Sequence, residues 1–233
     1  MREIVFDTET TGVDPATGDR MVEIGCIELV NRIPTGRTFH AYFNPGRSMP
    51  AEAERIHGLG DAFLAQQRAF HHHVAELIEF LGDCPLVAHN ASFDFGFLNG
   101  ELTRCKRAAI VMDRMVDTLM LARKRHPGAK HSLDALCNRY GIDRSHRTLH
   151  GALLDAELLA QVYVELTGGR QIGLTLDSEV ARAVAGGAAQ AAASTFQPTR
   201  RAYRTPRPHR ATADELARHK AFVGTLSSPL WTQ

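Results

Sequence analysis

Long apolar runs are missing from this sequence. No stretch approaches the ~20 residues needed to cross a bilayer, which excludes a spanning segment and a membrane partner. The first residues lead directly into the strand-like Ile4–Val5–Phe6, without a basic segment followed by an apolar one. No secretory leader is therefore expected, and the expected location is cytoplasmic. Cysteine is scarce: the 4 residues Cys26, Cys84, Cys105 and Cys137 form no C-x-x-C pair. That pattern argues against a structural zinc site or a disulfide framework and for reduced thiols. Charge of one sign is also missing overall, at a formal +1. The balance is uneven, however. Residues 1–170 carry 19 Lys+Arg against 22 Asp+Glu, whereas residues 171–233 carry 8 against 4.

What is present begins as a mixed α/β pattern in a chain of 233 residues, enough for one domain with a real core and an extension. Strands are predicted at Ile4–Phe6, from Met21 to Val30, from Thr38 to Phe43 and at Leu86–Ala88. The stretch from Asn31 to Gly36 reads as the turn between the second and third. Helical spacing covers Val74 to Leu81, Phe93 to Leu102, Leu133 to Tyr140 (ended by Gly141) and Ala152 to Leu166 (stopped near Gly168–Gly169). From Ala183 to Ser194 the chain is mostly Ala and Gly, and Thr195 to Arg210 holds three prolines and five arginines without an acid. Such composition buries too little apolar surface to fold alone, so 177–211 reads as a flexible linker. A short helix follows, opened by Thr212–Ala213–Asp214–Glu215 as a capping box.

Acids stand in three places where local structure does not favour them. In Phe6–Asp7–Thr8–Glu9–Thr10–Thr11–Gly12, Asp7 and Glu9 are two apart at a strand end, so period two places both on one face. The pair is either a solvated strand end or a ligand pair for a hard cation. In His89–Asn90–Ala91–Ser92–Phe93–Asp94, the acid falls in a first helical turn, which suits the helix dipole but sits among Phe93, Phe95 and Phe97. In His150–Gly151–Ala152–Leu153–Leu154–Asp155, the acid joins a leucine-rich helix. His150 is five residues earlier, ~140° away if both were helical, so the two share a site only if His150 lies at or before the helix start. Taken singly, His150 is equally a cap or a surface histidine. Together, four carboxylates and one histidine are the inventory of two-metal phosphodiester hydrolysis, with the histidine taking the proton of the attacking water.

These three motifs, in this order, resemble those of the DEDD superfamily of 3′→5′ exonucleases, and the H-x-x-x-x-D form resembles its histidine branch. Beyond the motifs, V-E-I-G, H-G-L, S-L-D-A-L-C-N-R-Y-G-I-D and R-T-L-H-G-A-L-L-D-A-E-L-L-A resemble the epsilon family of proofreading subunits of bacterial DNA polymerase III, over residues 1–170. The resemblance implies a ribonuclease-H-like mixed sheet flanked by helices. It implies two divalent ions, Mg²⁺ or Mn²⁺, held by Asp7, Glu9, Asp94 and Asp155, with His150 as general base. It further implies that Thr8, Thr10, Thr11, Glu52, His57, Asn90 and Phe93 line the site for a DNA 3′ end, single-stranded or frayed. Glu52 reads equally as a solvated side chain, and His71–His72–His73 as a solvated helix start.

The same resemblance extends into the tail. Gln171–Ile172–Gly173–Leu174–Thr175–Leu176 is similar to the peptide with which replication proteins hold the sliding clamp (beta), through Gln171, Leu174 and Leu176. It reads alternatively as a helix exit packing its leucines on its own domain. Residues 212–233, with Leu230 and Trp231, resemble the segment that docks on the polymerase (alpha) subunit. In some bacteria a small third core subunit also joins. Two rival readings use the same chain: an RNA exonuclease of the same branch, and a non-catalytic scaffold between clamp and polymerase.

Overall fold

The computed structural model describes residues 1–147, 149–168, 211–225 and 227. The chain divides into two compact units, Met1–Leu176 and Asp177–Gln233. Among the described residues, no helix is long and apolar enough to cross a membrane.

The first unit is built on a five-stranded sheet in the order β3-β2-β1-β4-β5. The strands are β1 (Arg2–Thr10), β2 (Met21–Val30), β3 (Ile33–Tyr42), β4 (Leu86–Ala88) and β5 (Met115–Asp117). β1, β2 and β3 form antiparallel neighbours, while β4 and β5 run parallel to β1. Seven helices accompany them among the described residues: α1 (Ala51–His57), α2 (Asp61–Leu64), α3 (Val74–Leu81), α4 (Ala91–Arg104), α5 (Thr118–Arg125), α6 (Leu133–Tyr140) and α7 (Ala152–Leu166).

Alternation along β1 decides the layers. Ile4 and Phe6 point to one face and pack with Ile24, Cys26, Leu77, Leu81, Phe95 and Leu98, which brings α3 and α4 onto that side. Val5 points to the other and packs with Ile27, Leu29, Ala156, Leu159 and Tyr163 of α7. On that second face β1 also carries Glu3, Asp7 and Glu9. Glu3 is buried and accepts a 2.6 Å hydrogen bond from the Tyr163 hydroxyl, so it is a satisfied structural acid. Helix α4 fully buries Phe95, Phe97, Leu98 and Leu102. At roughly 1.5–3 kcal/mol each, they outweigh the cost of the acid in its first turn.

Two sequence expectations change. The turn between β2 and β3 is only Asn31–Arg32, both at positive φ (52° and 65°), and Val30 pairs with Ile33. This is the two-residue hairpin geometry that matches strand twist. Pro34 therefore lies inside β3, tolerated because β3 is an edge strand. Helix α4 starts at Ala91 rather than Phe93, with Asn90 in the left-handed conformation before it. Strand β5 and helix α5 carry no sequence expectation at all. β5 has three residues, too few for alternation, and α5 ends in Arg123–Lys124–Arg125.

In the second unit, helix Ala213–Val223 opens with the expected capping box. The Thr212 hydroxyl accepts from the Glu215 N–H, and Glu215 accepts from the Thr212 N–H at 2.8 Å. The linker expectation, apart from Ala211, and the expectations at Gln171, Leu174, Leu176, Leu230 and Trp231 lie outside the described residues.

Candidate active site

The site forms where β1 ends. Asp7 pairs with Gly25 of β2, and Glu9 pairs with Glu23. The glycine decides what can lie above the acids. A Cβ at Gly25 would stand 2.3 Å from Leu153 Cα and its backbone nitrogen, and 2.4 Å from the Ala152 carbonyl carbon. The first turn of α7 thus rests directly on the β2 backbone, which delivers Asp155 beside Glu9.

Helix α7 begins at Ala152 after an extended Gly151 (φ −156°, ψ 125°), so His150 lies before the helix start, as sharing a site with Asp155 requires. His150 is anchored through its backbone N–H to the Ile56 carbonyl at 3.2 Å. Its ring Nδ1 lies 3.1 Å from Asp155 Oδ2. From the opposite face, α4 supplies Asp94, buried and accepting 2.8 Å from the Thr8 hydroxyl.

The electrostatics follow from this crowding. Burial raises the Asp7 carboxyl well above its ordinary range, and the charges of Asp94, Glu9 and Asp155 raise it further. Burial, then Glu23, Asp155 and Asp94, push Glu9 up to about 8. Burial pushes Asp94 up to about 7, against the opposing Thr8 hydrogen bond. Acids so placed call for a cation. Ligand atoms of Glu9, His150 and Asp155 lie within 4.8 Å of one another. Carboxylate oxygens with one imidazole suit a hard divalent cation, so the donor set fits such an ion.

A family model for exonucleases matches residues 4–163. The DNA polymerase III subunit epsilon of Rickettsia felis is 46% identical over 235 residues, covering 97% of each chain. That of Escherichia coli K12 is 41% identical over 242 residues, covering 99% of this chain and 97% of the relative. The chain belongs to the exonuclease family, in its DNA polymerase III epsilon group. Among solved structures, exonuclease X with 5′-overhanging duplex DNA matches this exonuclease at 25% identity and TM-score 0.55, covering 71% of this chain and 90% of the other. Escherichia coli exonuclease I with single-stranded DNA matches at 21% identity and TM-score 0.61, covering 73% and 41%, which supports the fold.

The other expected residues of the exonuclease site are placed unevenly. His57 is buried at the end of α1. Its Nδ1 accepts from the Leu59 N–H at 3.1 Å, and its Nε2 has no hydrogen-bond partner among the described residues. Burial lowers its pKa, against the opposing influence of the Thr10 backbone, Glu23 and Glu54. Glu52 is exposed in the first turn of α1. The Thr10 and Thr11 hydroxyls turn away to brace the following loop, onto the Gly12 carbonyl at 2.6 Å and Asp19 Oδ1 at 3.2 Å. Asn90 is exposed and its N–H donates to Asp117 Oδ1 at 3.1 Å. Phe93 is half-buried against Phe97, with ring centroids 4.9 Å apart.

Three residues escape the sequence reading. Glu23 is buried beside Glu9 and bonded to His40 Nε2 at 2.7 Å. Gly25 interrupts an apolar strand, and an isolated strand glycine is a recognised signal of close backbone approach. Arg147 grips Asp155 through Nε to Oδ1 at 2.5 Å and Nη2 to Oδ2 at 2.7 Å. It also reaches Asp134 Oδ1 at 2.7 Å, and Nη2 lies 2.7 Å from His150 Nδ1. The signal available for it was R-x-x-H just before the helix.

Proposed function

We propose that this chain is a 3′→5′ exonuclease that removes misincorporated nucleotides from the DNA primer end during replication, releasing nucleoside monophosphates. The observation that carries the reading is the convergence of Asp7, Glu9, Asp94, Asp155 and His150 at the end of β1, in a chain of the epsilon group. The four acids hold two divalent ions, Mg²⁺ or Mn²⁺. Bound there, the ions supply the positive charge that the acids and the scissile phosphate require. His150 is half exposed, so its ring faces incoming water. With Nδ1–H donating to Asp155, Nε2 is left as the base that takes the proton of the attacking water. Thr8 fixes the orientation of Asp94. The Nε2 of His57, without a hydrogen-bond partner among the described residues, meets the terminal sugar or base, with Glu52 outside it and Asn90 and Phe93 along the opposite wall. Backbone at Thr8, Thr10 and Thr11 lines the pocket.

Discrimination comes mainly from the DNA. A mismatched end frays more cheaply than a paired one, and a single strand is what the site accepts. Residues 1–170 are the exonuclease domain in this reading. Residues 171–176 hold the sliding clamp, 177–211 are the linker, and 212–233 dock on the polymerase (alpha) subunit through Leu230 and Trp231. Such tethering raises the local concentration of nuclease without fixing its pose. A small third core subunit completes the assembly in this reading, and the site of action is the cytoplasm.

The test is a degradation assay on the purified full chain. Labelled single-stranded DNA, a mismatched primer end, a matched end and RNA are compared with Mg²⁺ and with EDTA, alongside Asp7→Ala. Metal-dependent loss from the DNA 3′ end, fastest when unpaired and absent in Asp7→Ala, is expected. RNA degraded with DNA spared would transfer the protein to the RNA-trimming relatives.

A further inference from the structure

Arg147 is placed where a ligand set for a divalent ion is expected to face a metal. Its guanidinium forks onto both oxygens of Asp155, at 2.5 and 2.7 Å. Oxygen Oδ2 also lies 3.1 Å from His150 Nδ1. The arginine is itself mostly buried, with 9% of its side chain exposed, so water screens its charge poorly. An ion bound by Glu9 and Asp155 would lie within a few ångströms of that fixed charge.

The histidine is caught in the same grip. Nδ1 lies 2.7 Å from Arg147 Nη2 and 3.1 Å from Asp155 Oδ2. One ring nitrogen cannot serve both: it accepts from Arg147 when bare and donates to Asp155 when protonated. While Arg147 holds Nδ1, the proton of a neutral ring sits on Nε2, and that nitrogen is no base. Arg147 also has a second anchor. Its Nη1 donates to Asp134 Oδ1 at 2.7 Å on α6, and its backbone lies in a segment without helix or strand. It can therefore leave Asp155 and keep a carboxylate partner, without breaking a backbone ladder.

We propose that Arg147 is a resident cation of the site, a positioning residue that competes with the divalent ion for Asp155 and couples metal loading to release of His150. The proposal rests on the metal-dependent reading above. On loading, Arg147 leaves Nδ1, the half-exposed ring gives its Nε2 proton to solvent and takes one from solvent at Nδ1, and Nδ1–H then donates to Asp155, so Nε2 becomes a competent base only when the ion is in place. An arginine that merely braced the loop would do the reverse, since its loss would loosen the ligands and weaken the ion.

Mn²⁺ binding to the full chain decides between these, read by electron paramagnetic resonance of free Mn²⁺ so that no turnover is involved. Wild type, Arg147→Gln, Arg147→Lys and Asp155→Asn are titrated together. Arg147→Gln is expected to bind Mn²⁺ more tightly by on the order of tenfold, the scale of one charge-assisted hydrogen bond. Arg147→Lys, which keeps the charge and loses the fork, is expected in between. If Arg147→Gln fails to fold by circular dichroism, Arg147→Lys alone carries the test and must still bind more tightly than wild type. Equal or weaker binding in the folded arginine variants, with wild type binding and Asp155→Asn impaired, overturns the proposal and leaves the metal-dependent reading standing. Absence of binding in wild type overturns that reading and the proposal with it.

Discussion

Asp7→Asn should make the metal-free protein more stable while abolishing hydrolysis. The Asp7 carboxyl is held well above its ordinary range by burial and by Asp94, Glu9 and Asp155. Two of those neighbours are themselves displaced, Glu9 to about 8 and Asp94 to about 7. Unfolded carboxyls release their protons near pH ~4. Between there and roughly pH 8 the folded state binds more protons than the unfolded state, so folding stability falls as pH rises through this window. Below pH ~4 both states are protonated, and the penalty is gone. Replacing Asp7 by its neutral isostere removes one member of the crowd. A single unit charge roughly 5 Å from another costs about 3 kcal/mol at an effective dielectric near 20. With partial protonation already relieving some of this, roughly 1–3 kcal/mol of stabilisation is expected at pH 8. For a domain of this size that is about 2–10 °C in melting temperature. The assay is thermal unfolding in EDTA at pH 5 and pH 8, then with Mg²⁺. The variant should melt higher than wild type at pH 8 and close to it at pH 5. Added Mg²⁺ should raise wild type and leave the variant behind, because only a competent site gains by mass action. A variant no more stable than wild type at pH 8 in EDTA would refute the claim that these acids are mutually strained.

Gly25→Ala should displace α7, since the added carbon would sit 2.3 Å from Leu153 backbone atoms. A loss of roughly 1–3 kcal/mol or more by urea unfolding is expected, with exonuclease activity falling even where the protein stays folded; wild-type activity in a folded variant would show that α7 placement is not critical. Tyr163→Phe leaves Glu3 buried without the hydroxyl that donates to it at 2.6 Å. It should cost about 1–3 kcal/mol with little change in turnover well below the melting temperature, and an unchanged urea midpoint would contradict the assigned role of that bond.

The parts legible in the sequence are those where one chemical rule acts alone. Helices α3, α6 and α7 were readable because apolar spacing runs unbroken to a glycine or near one, as at Gly141 with its φ of 66°. The acid set was readable because Asp94 and Asp155 stand in apolar surroundings that a solvated acid avoids. Relations between segments were hidden. Nothing local in V-E-I-G says that a helix crosses the glycine, and nothing in S-H-R-T says that the arginine grips an acid eight residues later. The β2–β3 turn was misplaced because Asn31–Arg32 lacks the glycine that usually marks a two-residue hairpin, while Pro34 and Gly36 gave a stronger but misleading turn signal. Strand β5 was lost to brevity, although its final residue Asp117 caps α5 by accepting from the Leu119 N–H at 2.8 Å.

The crossing of α7 over the first two strands has a consequence for synthesis. Glu3 meets Tyr163 across 160 positions, and Asp7 and Glu9 feel the charge of Asp155 near the far end of the same domain. The antiparallel strands pair locally and early, whereas these distant partners arrive only after most of the domain has been translated. A nascent chain emerging from the ribosome thus carries Asp7 and Glu9 long before Asp155 exists. The site therefore stays incomplete until α7 packs over the first two strands.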